Sequence, residues 1–318
     1  MKRNIKLALA PMAGFTNKAM RQICQELGAD ITWSEMVSAE GIFRNKSKEN
    51  KSLALAEKFN SQEKEYWVQI FGNNVEAMNY SAQIIEKEIK PLGIDINLGC
   101  PVKKAQKAGY GAVQMGKIDE VIEIIQKIKK MTSLPISLKT RLGLQNPDEI
   151  LTFAPQMERA GLDQLVVHAR TLKGMFHAKP DWEIIKKLKS ILKIPIIYNG
   201  GIKTPEDAKF YFDKTDCTTL MIGQAAIGNP WIFREIKEFF IYSKSTPPTG
   251  EEKKKIILKH AKLVKKYYGE KGFVTFRPQL AAYLKGHSKA AILRHKAVQI
   301  NSLEDVQKVL NEIYREKI

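Results

Sequence analysis

Cys100 is the thiol whose setting suits chemistry. It lies in Asn97-Leu98-Gly99-Cys100-Pro101, where a short apolar run ends and a loop carrying Lys103, Lys104, Lys107, Gly109 and Gly111 begins. A thiol among cations can be lowered in pKa or aimed as a proton donor, whereas one in a dry core is inert. Cys24, in a helical pattern, and Cys217, just before an apolar run, lack that setting and read as structural. Three cysteines without paired spacing give neither a disulfide framework nor a zinc signature. That fits a reducing cytoplasm and implies no metal.

Other polar residues stand where apolar runs give out: Gln69, Asn97, Lys139, Arg141, His168, Arg170 and Asn199. Gly200-Gly201 and Gly223 follow two successive runs of this kind. Glycines at such turns let backbone N–H groups approach a phosphate, which points to a phosphate-bearing cofactor such as FMN. Lys139 ends an apolar run, and a buried ammonium is costly unless an anion or a strong acceptor meets it. The anionic edge of a reduced flavin would serve, and Gln69 both donates and accepts, as the ring's other edge requires. His168 can act as an acid or simply donate a hydrogen bond. Of the aromatics near these ends (Trp33, Phe71, Phe176 and Trp182), Phe176 is best placed to meet a flipped base. It sits in the loop 171–180, after Arg170 and beside His177.

These residues need a frame that brings their chain positions together. Apolar strand-like runs alternate with amphipathic helical stretches up to about Tyr242, the pattern of a parallel sheet built from βα units. Eight strands are expected, at residues 5–10, 31–37, 67–71, 94–98, 136–139, 165–168, 196–199 and 220–222. Eight such units predict an α/β fold, a (β/α)8 TIM barrel whose strand C-termini share one rim. The basic start Met1-Lys2-Arg3 leads into the first strand rather than into a signal peptide, because its apolar run is short and meets Pro11. No run approaches the roughly 20 apolar residues of a membrane span, so no membrane partner is expected.

Residues 243–250, with two prolines, read as a linker closing a barrel domain of residues 1–242. Residues 251–318 read as a small all-helical bundle of about four helices. The chain of 318 residues carries a formal charge of +18, and this tail holds sixteen Lys and Arg against seven Asp and Glu. Such an excess implies a polyanionic partner.

Taken together, the segments resemble the tRNA-dihydrouridine synthase family over almost the whole chain. They are Ala10-Pro11-Met12-Ala13-Gly14-Phe15-Thr16, Val68-Gln69-Ile70-Phe71-Gly72, Asn97-Leu98-Gly99-Cys100-Pro101, Leu138-Lys139-Thr140-Arg141-Leu142-Gly143, Val167-His168-Ala169-Arg170-Thr171, Asn199-Gly200-Gly201-Ile202 and Met221-Ile222-Gly223. Tyr283-Leu284-Lys285-Gly286 is similar to the family's helical domain, and the bacterial B-type branch is the most similar. The resemblance implies an FMN barrel that reduces the C5–C6 bond of chosen uridines in tRNA, with NADPH or NADH recharging the flavin. It implies that Pro11, Met12 and Ala13 line the flavin, that Gln69, Lys139 and His168 hold its ring, and that Asn199, Gly200, Gly201, Gly223 and Gln224 hold its phosphate. Cys100 would be the acid, Asn97 and Arg141 would orient the uracil, and Arg170 and Phe176 would lie near the base. A cytoplasmic monomer is expected.

Two departures stand out. Gln224 occupies a place where the family commonly has Arg, which shifts phosphate binding toward backbone N–H groups and Lys203. Arg277-Pro278-Gln279 stands where Arg-Lys-His is frequent, and Pro278 predicts a helix starting there. Two other readings remain open at this level: an FMN reductase of a small pyrimidine or enone, and an RNA-binding barrel without chemistry. A ribosomal RNA target is also open.

Overall fold

The strands repeat every two residues, and the alternation sorts side chains into two compartments. The computed structural model describes residues 4–47, 49–63, 65–286 and 290–314. The start Met1-Lys2-Arg3 and the tail charges Lys289, Arg315, Glu316 and Lys317 lie outside the described residues. The strands are β1 Lys6–Leu9, β2 Ile31–Trp33, β3 Val37–Ser38, β4 Tyr66–Phe71, β5 Gly93–Leu98, β6 Ile136–Arg141, β7 Gln164–His168, β8 Ile196–Asn199 and β9 Thr219–Ile222. All pairings are parallel; β1 pairs with β2 and β9, and β2 also pairs with β4, which closes the ring. Helices connect the strands, and the result is the expected (β/α)8 barrel with helices following it.

The second barrel position departs from the single strand expected at residues 31–37. It divides into β2 and β3, which run successively along β4. Ser34 is the cause: its hydroxyl oxygen, not a backbone carbonyl, accepts the Gln69 N–H at 2.9 Å. A side chain that substitutes for a ladder partner interrupts the strand.

Outward-facing strand residues such as Leu7, Val68, Ile94, Leu138 and Val167 pack beneath the helices. The inward set, Ala8, Ala10, Ile31, Trp33, Trp67, Val166, Ile197 and Met221, fills the barrel axis. There the Trp33 and Trp67 rings stack at 6.0 Å. Toward the strand C-termini the inward positions turn polar, which sets the site above an apolar plug.

After the helix Ile232–Tyr242, the chain continues through Gly250–Tyr268, Gly272–Tyr283, Ala290–Ala297 and Leu303–Ile313. Reciprocal capping boxes open two of these helices, Thr249 with Glu252 and Ser302 with Asp305. Their apolar faces form a second cluster with Ala19, Ile23 and Trp231 of the barrel. The helix expected to begin at Pro278 begins at Gly272 and runs through the proline. Pro278 removes one intrahelical donor, a loss of about 3 kcal/mol in an isolated helix. Burial of Phe273, Phe276, Leu280 and Tyr283 in that cluster holds the helix despite this.

Candidate functional site

The strand C-termini surround a cavity of about 450 Å³, within the range of small-molecule and cofactor sites. Each barrel strand position except the second places its expected side chains there: Pro11, Met12 and Ala13 after β1, Gln69 on β4, Asn97 and Cys100 on and after β5. Lys139 and Arg141 come from β6, His168 and Arg170 from β7, Asn199 and Gly201 from β8, and Gly223 and Gln224 from beyond β9. Phe176 closes the mouth from its loop and is 47% exposed. Gly200 does not line the cavity. It lies behind His168 at φ +121°, where a Cβ would come within 3.0 Å of the imidazole Cδ2. Of the four aromatics, Trp33 is fully buried, and Phe71 and Trp182 sit against Tyr110 and Phe210, away from the cavity.

Cys100 is held by its backbone. Asn97 Oδ1 accepts the N–H groups of Gly99 at 3.2 Å and Cys100 at 3.1 Å. The Cys100 carbonyl accepts from Ala112 N–H at 3.2 Å. Gly111, at φ +77°, lets this segment approach so closely that a Cβ would lie 3.1 Å from the Cys100 Cβ. Arg141 ties the same segment to the opposite loop: Nε donates to the Gly99 carbonyl at 2.9 Å, and Nη1 donates to those of Thr171 and Met175 at 3.2 Å. Its guanidinium also lies 5.5 Å from the Phe176 ring centroid. Burial, and then the neighbouring Arg170 charge, push the Arg141 pKa down to about 10.

His168 is held neutral. Burial, with the charges of Lys139, Arg141 and Arg170, pushes its pKa down to about 2. Its Nε2 is 3.1 Å from Arg170 Nη1; since guanidinium only donates, the network assigns the acceptor role to Nε2 and the proton to Nδ1. His168 is therefore a hydrogen-bonding group near neutral pH, not a proton source. Lys139 donates to Asn199 Oδ1 at 3.1 Å, and Asn199 in turn donates to the Met221 carbonyl at 2.8 Å. Burial lowers the Lys139 pKa, partly offset by the Asp95 carboxylate beneath it.

The donor set suits an anionic cofactor. Lys139, Gln69 and His168 offer a cation, an amide and a neutral imidazole, and Lys203 and Gln224 line the same cavity. A Cβ at Gly223 would meet protein no closer than 3.5 Å, at the Ala10 Cβ. Protein packing therefore tolerates a side chain there, and what glycine leaves open is cavity space for a bound group. Sequence reasoning passed over Asp95, Phe15, Met36 and Val102. The last three line the cavity, and only Asp95 carried a usable signal, an acidic residue inside an apolar strand.

The family described as "Dihydrouridine synthase (Dus)" matches residues 8–318. The chain belongs to the dihydrouridine synthase family. A probable tRNA-dihydrouridine synthase of Aquifex aeolicus is 34% identical over 312 residues, covering 96% of this chain and 95% of the relative. The tRNA-dihydrouridine synthase B of Pasteurella multocida is 36% identical, with 91% and 86% covered. That of Proteus vulgaris is 33% identical, with 96% and 94% covered. Among solved structures, a 2-naphthoyl-CoA reductase complex matches at TM-score 0.57 and 13% identity, over 73% of this chain. Histamine dehydrogenase from Rhizobium sp. 4-9 matches at TM-score 0.56 and 12% identity, over 82%. The chain spans about half the length of these two, 50% and 49%, and they support the barrel fold alone. In this member of the family, the rim cavity is where the motifs read from the sequence converge.

Proposed function

We propose that this family member reduces the C5–C6 double bond of uridines in tRNA to 5,6-dihydrouridine, with FMN in the rim cavity and NADPH, or NADH, as the reductant. The observation that supports the reading most is the convergence of one backbone-clamped thiol, one buried ammonium and one neutral imidazole on a single cavity. FMN, when bound, supplies the hydride. Gln69, Lys139 and His168 would hold its ring between Pro11, Met12 and Ala13, while Asn199, Gly201, Gly223, Gln224 and Lys203 would hold its phosphate. Lys139 offsets negative charge at the ring's edge.

Adding a hydride at uracil C6 leaves carbanionic character at C5, and a proton must arrive there. The Cys100 thiol gives up its proton to C5, because it lines the cavity while His168 is a neutral imidazole whose Nε2 accepts. Arg141 spends Nε and Nη1 on carbonyls that fix the two flanking loops, leaving Nη2 for a uracil carbonyl. Arg170 braces His168 at the edge of the base site. The target base must leave the RNA stack to reach this depth, and Phe176 with Val102, 56% exposed, presents an apolar lip. Phosphate contacts from the basic tail offset the unstacking. On this reading the protein works in the cytoplasm, as a monomer.

The test is to incubate the protein with FMN, NADPH and dihydrouridine-free tRNA, digest the RNA and seek uridines heavier by two hydrogens. Such uridines are expected. Their absence from tRNA, with NADPH oxidised and ribosomal RNA or a small pyrimidine reduced instead, would overturn the substrate assignment.

A further inference from the structure

Asp95 is fully buried on β5, in register with Gln69 on β4 and Ser137 on β6. Its Oδ2 accepts from Gln69 Nε2 at 2.6 Å. Gln69 Oε1 accepts from Asn97 Nδ2 at 2.8 Å, and Asn97 Oδ1 accepts the Gly99 and Cys100 N–H groups. The four groups form one chain in which every donor points toward the carboxylate. The Ser137 hydroxyl and the Trp33 indole N–H also stabilise the buried carboxylate. A fully buried anion in this place is a poor choice for stability alone.

Primary amides are ambivalent, since a flip exchanges donor and acceptor. Two in series need an end that cannot be read both ways. An ionised carboxylate only accepts and a backbone N–H only donates, so the two ends of this chain enforce the same direction. We propose that Asp95 is a positioning residue whose carboxylate sets the direction of the Gln69–Asn97 chain and thereby fixes both the cavity face of Gln69 and the backbone of Cys100. Gln69 then presents one remaining N–H and one remaining lone pair to the cavity in a set order, and Asn97 clamps the loop that aims the thiol. The cofactor half of this inference rests on the flavin reading; the thiol half does not.

The test uses the full-length protein and its accessible thiol. Cys24 and Cys217 are fully buried, so alkylation of the folded protein by iodoacetamide reports Cys100. Asp95→Asn keeps the shape, removes the charge and restores the ambivalence. It is expected to speed Cys100 alkylation by about threefold or more, with a melting temperature within a few degrees of wild type, because neighbours in one network couple. Asn97→Ala cuts the clamp above Asp95, so adding Asp95→Asn to it should change alkylation no further. If Asp95→Asn does not fold, Gln69→Met severs the same chain and should give the same acceleration. Unchanged alkylation in a folded Asp95→Asn or Gln69→Met protein, or equal acceleration with and without Asn97, would overturn the proposal. FMN affinity is measured in parallel; accelerated alkylation in a protein that binds no FMN would sustain the positioning role while removing the flavin reading.

Discussion

The barrel rim and the helical tail each bury a histidine, and the two are used in opposite ways. His168, at about 2, faces the cavity with Nε2 fixed by Arg170. His260, pushed down to about 3 by burial, is sealed among Phe276 and Tyr283, with Nδ1 against the Tyr283 hydroxyl at 3.0 Å. Its Nε2 has no hydrogen-bond partner among the described residues. Similar depression of pKa therefore marks a cavity-lining group in one region and a core member in the other, and access to a cavity distinguishes them. The charges divide in the same way. The rim's Lys139 and Arg141 are tied into strands and carbonyls, while tail lysines such as Lys259 and Lys265 reach outward to exposed partners.

The two regions also touch where function is expected. Gln279 donates to the Phe15 carbonyl at 3.0 Å, on the loop that follows β1 and borders the cavity. Gly228, just past the turn after β9, lies so close to the helix Gly272–Tyr283 that a Cβ would fall 2.4 Å from the Ala282 carbonyl carbon. The largest expected effect breaks the comparison at this seam. A chain ending at Tyr242 would expose Ala19, Ile23 and Trp231, and should lose tRNA activity entirely and FMN affinity by about tenfold or more. FMN titration by fluorescence checks this; undiminished affinity would make the tail a mere appendage. Next, tRNA affinity should fall roughly a hundredfold between about 50 and 200 mM salt, as about four phosphate contacts require, while FMN affinity barely moves. Filter binding at both salt concentrations separates the regions.

Lys139→Met should weaken FMN binding by about tenfold, the loss of one charge-assisted contact, without altering the salt dependence of tRNA binding. The smallest effect concerns His260. Its folded pKa lies below the unfolded value of about 6.5, so the unfolded state binds more protons below that pH. Stability contributed by neutral His260 is thus present above about pH 6.5 and declines as pH falls, by at most about 1.4 kcal/mol per pH unit. His260→Gln should flatten the loss of melting temperature between about pH 7 and 5; an unchanged slope would place the acid sensitivity elsewhere, with His168 first in line.

Much of this was legible in the residue order. Polar side chains where apolar runs end announced the rim, because in a barrel the strand C-termini meet on one side whatever lies between them. Cys100 stood out by its lysine- and glycine-rich loop. Other features depend on contacts that no local pattern encodes. The division at Ser34 requires the Gln69 N–H to lie opposite it, and the helix through Pro278 survives on burial against the barrel. Gly200 belongs with glycines by spacing, yet its freedom is used to seat His168. Asp95 was visible as a letter, but its partners come from the neighbouring strands β4 and β6, and only the register between those strands aligns them.

The central claim is that Cys100 delivers the proton while the rest of the rim holds the cofactor and the base. The most direct measurement compares wild type with Cys100→Ala for FMN content, NADPH oxidation and dihydrouridine formed in tRNA. The account predicts normal FMN content and continued NADPH oxidation, with dihydrouridine formation reduced by about a hundredfold or more, the usual share of a positioned acid. Dihydrouridine formation at the wild-type rate would contradict it.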